Sequence, residues 1–169
     1  RAVAEYVVAS LSEVGIASKI YESAPNRCNV IANIEGVDTA RPGLVLHGHL
    51  DVVPVAAEEW SVDPFGAVIK DGAIWGRGAV DMKNMDAMIL AIVRHWARNG
   101  IKPPRDIVLA FFADEEAGSI FGSRWMAKEH PEVFANCSQA ISECGGYSVT
   151  LANGKRIYMI ETAEKGINW

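Results

Sequence analysis

GLVLHGHLDVV, residues 43–53, opens with an apolar run that does not alternate with polar positions. An alternating strand has one wet face. An unbroken run is what a strand covered on both faces shows, and covering both faces takes helices above and below a sheet. DIVLAFFADEE, residues 106–116, repeats the pattern. Around these two runs the chain alternates helical and extended signals. Residues 2–14 carry apolar positions at helical spacing and end at Gly15; from about Met82 to Arg98, the positions Met85, Met88, Ile89, Ile92, Val93 and Trp96 do the same, stopped by Asn99-Gly100 and barred from resuming by Pro103-Pro104. A third helix is predicted over roughly Ser119–Glu129. ASKIYES and NVIANIE read as strands about a Pro25-Asn26 turn, AVIK and AIWG as a hairpin about Asp71-Gly72, and QAISE and RIYMIETAE as further strands. The fold predicted is α/β: a three-layer α/β/α sandwich on a mixed, mostly parallel sheet.

The bulk numbers fit one domain. A chain of 169 residues buries roughly 70% of its unfolded surface. Half the residues are hydrophobic and 22% charged, an ordinary globular balance. The net charge of -5 argues against nucleic acid or an anionic membrane as partner. Cys28, Cys137 and Cys144 form no CxxC pair and leave an odd one out, which suits a reducing compartment, so the expected location is cytoplasmic. No stretch would span a bilayer, and no signal peptide is visible, although Arg1 already stands inside a helical pattern.

The chemistry gathers in four clusters, each where an apolar run gives way to a loop or helix. They are His47-Gly48-His49-Leu50-Asp51, then GRGAVDMK (76–83), Asp114-Glu115-Glu116, and Ser142-Glu143-Cys144. Strand ends on one edge of a sheet can assemble ligands from distant parts of a chain. One imidazole and several carboxylates suit a divalent ion such as zinc, cobalt or manganese. His49 could bind through one ring nitrogen while Asp51 accepts a hydrogen bond from the other. Glu115 and Glu116, as neighbours, cannot point the same way, so one could bind metal and the other hold water. Taken singly each residue has a plainer role: a backbone-satisfied strand-end histidine, a helix N-cap at Asp81, a solvated acidic turn at Glu115-Glu116, a surface Glu143. Gly76-x-Gly78 before a helix resembles a dinucleotide turn, but Asp81 stands where the third glycine should be and would repel a pyrophosphate. Trp60, Phe65 and Trp75 are expected to pack a loop onto the domain, and the cysteines to be small core residues.

HGHLDVVP (47–54), EEWSVDPFGAVIKDGAIWGRGAVDMK (58–83), FFADEEAGSIFGS (111–123) and ISECGG (141–146) together resemble the M20 family of metallopeptidases, which includes glutamate carboxypeptidases, succinyl-diaminopimelate desuccinylases, acetylornithine deacetylases, aminoacylases and dipeptidases. The resemblance implies hydrolysis of a peptide or N-acyl amino acid bond by a water bridging two divalent ions, most simply zinc. His49 would bind one ion, Asp81 bridge both, Glu116 bind the second and Glu143 the first. Asp51 would orient His49, and Glu115 would be the general base. A cis peptide is implied at Asp81-Met82. So are a further, late histidine ligand and a lid domain through which such enzymes dimerise. Neither lies in residues 1–169, so the chain reads as the N-terminal portion of the catalytic domain, inactive alone. Two rivals stand beside this reading. A binding module of the same fold would not turn over. An amidohydrolase barrel built on His47-x-His49 would need about 250 residues.

Overall fold

The computed structural model describes residues 1–143 and 148–158. Helix α1 (Ala2–Ser12) stops short of the predicted end, and Gly15 leads away from it at φ +77°. Strands β1 (Ser18–Ala24) and β2 (Arg27–Ile34) pair antiparallel about Pro25-Asn26, with Asn26 at φ +64°. After β3 (Gly43–His49), strands β4 (Val68–Lys70) and β5 (Ala73–Trp75) make the predicted hairpin. Its turn residues Asp71 and Gly72 both take positive φ, 53° and 74°, as a two-residue turn of matching twist requires. Helix α2 (Lys83–Arg98), strand β6 (Ile107–Phe112), helix α3 (Ser123–Glu129) and strand β7 (Cys137–Ile141) follow. A small hairpin joins β8 (Ser148–Thr150) to β9 (Arg156–Tyr158). The rest of RIYMIETAE lies outside the described residues.

The main sheet runs β1-β2-β6-β3-β7, with β3 parallel to both β6 and β7 and β2 antiparallel to both β1 and β6. Four strands therefore point one way and β2 alone runs against them, which is the mixed, mostly parallel sheet expected. On one face α1 (Ala4, Val7, Leu11) and α2 (Ile89, Leu90, Val93) cover Val30, Leu109 and Phe111. On the other, Met126 of α3 covers Ile31, Val45, Val108 and Phe112. That completes three layers. Every residue of β6 is buried, and this explains its unbroken apolar run: consecutive side chains serve opposite cores. Burying each large side chain there stabilises by roughly 1.5–3 kcal/mol relative to exposure.

Two expectations need correction. Helix α3 begins four residues later than predicted, because Gly118 (φ +91°) and Ser119 (φ +61°) are left-handed. Gly122 then passes so close to the Ala113 carbonyl that a Cβ there would lie 1.8 Å from its oxygen, so this stretch packs as a loop. Phe65 and Trp75 do not pack a loop onto the domain; both rings are exposed, and Trp60 instead lies under the Arg77 guanidinium at 5.4 Å. Among the cysteines Cys28 is a core residue, Cys137 is half-buried, and Cys144 lies outside the described residues. Among the described residues no helix is long and apolar enough to cross a membrane.

Candidate metal centre

The register of the parallel strands builds the site. His49 of β3 is paired with Phe112 of β6, and Leu46 of β3 with Ile141 of β7. The carboxyl ends of three strands thus leave the sheet side by side, carrying His49, Asp114-Glu115-Glu116 and Glu143. The fourth contribution comes from Asp81, immediately before α2. The Asp81-Met82 peptide is cis, as the resemblance implied.

His49 is 2% exposed, and its ring is held at both nitrogens. Nδ1 donates to the backbone carbonyl of Asp51 at 3.1 Å, with the Asp51 carboxylate at 3.5 Å. A carbonyl can only accept, so Nδ1 carries a proton; Nε2, which faces carboxylates, offers its lone pair to an electrophile once it has released its own proton. Three carboxylates converge on that nitrogen: Asp81 at 2.9 Å, Glu143 at 3.3 Å and Glu115 at 3.9 Å. The first two separations are close to the roughly 3.3 Å between ligand atoms of a tetrahedral zinc ion. Two donor sets have all their ligand atoms within 4.8 Å of one another: His49 with Asp81 and Glu116, and His49 with Glu115 and Glu143. The donor chemistry therefore fits a divalent ion, and all five sequence-predicted ligand and base residues are brought together.

The electrostatics follow from that crowding. Burial opposes a charge on His49, but Asp51, Asp81 and Glu143 outweigh it and push the imidazole up to about 9. Glu143 is raised to about 7, by burial first and then by Asp81 and Glu115. Burial and the charges of Glu116, Asp51 and Asp81 also raise Glu115, against the pull of His49. Asp51 moves the other way. Burial works against its charge, yet His49 and two backbone N–H donors hold it below the ordinary carboxylate range.

Those two donors are the amides of Glu115 and Glu116, at 3.0 and 3.1 Å from the two Asp51 oxygens. One carboxylate thereby ties the end of β3 to the loop after β6. Local sequence pattern carries no sign of this second task, nor of the loop's other pins. Asn29, fully buried, donates to the carbonyls of Tyr21 and Phe121 and accepts from the Ala113 amide. Asp114 (φ +67°) accepts from the Phe121 amide. A polar residue between apolar ones in a strand was the available signal at Asn29.

The first turn of α2 grips the same strand end from behind. Met82 Sδ accepts from the His49 amide at 3.1 Å, and Lys83 Nζ donates to the Leu50 carbonyl at 2.8 Å. Asp86 packs beneath Gly48, where a Cβ would come 2.2 Å from its Oδ1. Both Asp86 oxygens are buried without a hydrogen-bond partner among the described residues. Burial pushes this carboxyl up to about 6, against the charges of Lys83 and His49. A raised acid favours the folded state only while protonated. The cost is thus absent below the unfolded value near 3.8, grows between there and 6, and is complete above. At complete ionisation it is of the order of 3 kcal/mol. Asp86→Asn, which mimics the protonated acid, should accordingly raise stability in urea melts by roughly 1–3 kcal/mol at pH 8 and leave it unchanged near pH 4. Equal stability of the two proteins at both pH values would show that the carboxyl is not strained.

A histidine and three acids at parallel strand ends, with Asp81 reaching in from just before α2, make a candidate centre for a divalent ion. The comparisons give the particular family: a profile described as peptidase family M20/M25/M40 matches residues 45–159, and the chain belongs to that family. It is 40% identical over 124 residues to a succinyl-diaminopimelate desuccinylase of Parvibaculum lavamentivorans, covering 73% of this chain and 29% of that protein. Against mouse (Mus musculus) aminoacylase-1 the identity is 31% over 159 residues, covering 93% of this chain and 37% of that one. The structure superimposes on human carnosine dipeptidase 1 with a TM-score of 0.73 at 22% identity, over 85% of this chain and 32% of that chain, which shows a shared fold. The chain spans about a third of the length of these proteins.

Proposed function

We propose that this polypeptide supplies most of the metal-binding residues of a hydrolase that cleaves an amide bond in a small peptide or N-acyl amino acid. The observation that carries the reading is the convergence of Asp81, Glu143 and Glu115 on one buried imidazole nitrogen, within 2.9–3.9 Å. His49, Asp81 and Glu143 would hold one divalent ion, and Asp81 with Glu116 a second, with Asp81 shared. Zinc suits one imidazole and carboxylates, and cobalt or manganese would also be accepted. When bound, such a pair lowers the pKa of water and stabilises the oxyanion of the addition step.

The chain's own residues do the rest. Asp51 fixes the Nδ1–H form of His49 through its backbone carbonyl and holds the Glu115-Glu116 backbone through its carboxylate. Glu115, half exposed beside the site, takes a proton from the attacking water and returns it to the leaving nitrogen. Its raised pKa suits both halves of that transfer. Among the described residues the second ion has no imidazole beyond His49, so residues 1–169 alone are proposed to turn over negligibly. The rest of the second site and of the substrate pocket is proposed to lie in further polypeptide, together with the surface for a homodimer.

The test is hydrolysis of N-acetyl amino acids and dipeptides by the intact gene product. Activity should vanish on chelation and return with zinc. Hydrolysis indifferent to chelator, or metal binding without turnover of either class, would replace the hydrolase by the binding-module reading.

A further inference from the structure

Residues 113–122 leave the sheet at the end of β6 and come back to where they started: a Cβ on Gly122 would stand 1.8 Å from the Ala113 carbonyl oxygen. A short segment whose ends touch in this way is an Ω-loop, and this one carries Glu115 and Glu116. Its path is not one an unsupported chain would hold. Asp114 at φ +67° and Ser119 at φ +61° are left-handed without being glycine, and such residues persist only where their surroundings impose them. Part of the support is internal. The Ser119 amide donates to the Asp114 carbonyl at 2.6 Å, and the Phe121 amide to the Asp114 carboxylate at 3.2 Å.

The neck is closed from outside the loop. Because β2 runs antiparallel to β6, with Val30 opposite Phe111, the residue before Val30 lies level with the end of β6. That residue is Asn29, which is 0% exposed. Its Oδ1 accepts from the Ala113 amide at 3.0 Å, where the loop departs, and its Nδ2 donates to the Phe121 carbonyl at 3.0 Å, where the loop returns. Nδ2 also donates to the Tyr21 carbonyl of β1 at 3.3 Å, which anchors the clasp in the sheet. A side-chain amide can meet an N–H and two carbonyls at once; a carboxylate cannot donate, and a hydrocarbon would leave all three buried groups unpaired. Asp51 holds the amides of Glu115 and Glu116 from the metal side. Between the two holds, the Glu115 carboxylate stands 3.9 Å from His49 Nε2, and Glu116 falls within one donor set with His49 and Asp81.

We propose that Asn29 is a positioning residue of the centre: by clasping the neck of the 113–122 loop it sets where the Glu115 and Glu116 carboxylates stand, without touching metal or substrate itself. The proposal rests on the hydrolytic reading above and extends its machinery to β2, on which none of the proposed ligands lies.

In the intact gene product Asn29→Ala should lower kcat at least about tenfold, the scale on which outer supports of a metal centre act, with KM near the wild-type value. Zinc at His49, Asp81 and Glu143 should be held as before, because none of these residues lies on the loop. The second ion, held through Glu116, should weaken at least about tenfold. General loss of stability would not split the readouts in this way. Val7→Ala supplies the comparison: it removes core packing under α1, on the face of the sheet opposite α3, and should lower Tm while kcat and both zinc affinities stay near wild type. Wild-type turnover by a folded Asn29→Ala protein overturns the proposal, and so does an equal loss of turnover in Val7→Ala. Where Asn29→Ala fails to fold, amide exchange in the wild-type chain decides. The Ala113 N–H should be protected as strongly as the amides of β6, and exchange at the rate of an open loop overturns the clasp. A wild-type gene product that hydrolyses neither substrate class would instead remove the hydrolase reading, and the split between the two zinc affinities would still test the role of Asn29.

Discussion

Glu115→Gln should lower amide hydrolysis by the intact gene product at least about a hundredfold, the usual share of a general base, while zinc affinity stays within about threefold. The substitution keeps the shape of the side chain and one acceptor oxygen but removes the basicity. Its backbone anchor is untouched, because the Asp51 carboxylate grips the residue 115 amide and not the side chain. The contrast between the two readouts matters because geometry alone leaves the two glutamates less distinct than their proposed roles. Glu115 lies in one potential donor set with His49 and Glu143, and Glu116 in the other with His49 and Asp81. If Glu115→Gln loses zinc and Glu116→Gln keeps it, the roles are exchanged. Loss of turnover in both, with loss of metal only in the Glu116 variant, is the result expected.

The parts of the fold legible in the sequence were those governed by local pattern. The unbroken runs of β3 and β6 announced burial on both faces, Asp71-Gly72 announced a hairpin, and the periodicity of α2 held over Lys83–Arg98. The site residues were legible as four clusters in order, and family resemblance gave them roles. What local pattern could not provide was the sheet order that places β3 between β6 and β7, and hence the reason His49 meets Glu143 across 94 positions of chain. Ser119 and Asp86 show the same limit. Ser119 sits on a helical pattern but is held left-handed by a loop that Asn29 and Asp114 pin from a distance. Asp86 looks like an ordinary first-turn acid, favourable to the helix dipole, until β3 is laid across it. Phe65 and Trp75 are apolar and still exposed, and among the described residues nothing explains that exposure.

Zinc titrated into residues 1–169 should show about one tight site and a second that is weak or absent. The tight site would hold His49, Asp81 and Glu143, three protein ligands, which suffice for an ion completed by water. The second would have Asp81 and Glu116, two carboxylates without an imidazole of their own, and a borderline ion binds such a pair poorly. The tight site also predicts its own pH dependence. In the metal-free chain His49 titrates near 9 and Glu143 near 7, and both must give up their protons to bind. Affinity should therefore rise about tenfold per pH unit between 7 and 9, where one proton is displaced, and more steeply below 7, where two are. Folding of the metal-free chain should show the opposite slope. The raised His49 pKa contributes stability that is complete below its unfolded value near 6.5 and is lost as pH climbs through 9. Alkaline solution should thus weaken the empty protein while strengthening its hold on zinc. Calorimetry in buffers of different ionisation enthalpy counts the protons directly. Two tight sites would show that the second ion has a ligand beyond Asp81 and Glu116, and zinc binding that releases no proton at pH 7.5 would show that the imidazole nitrogen between these carboxylates is not the ligand.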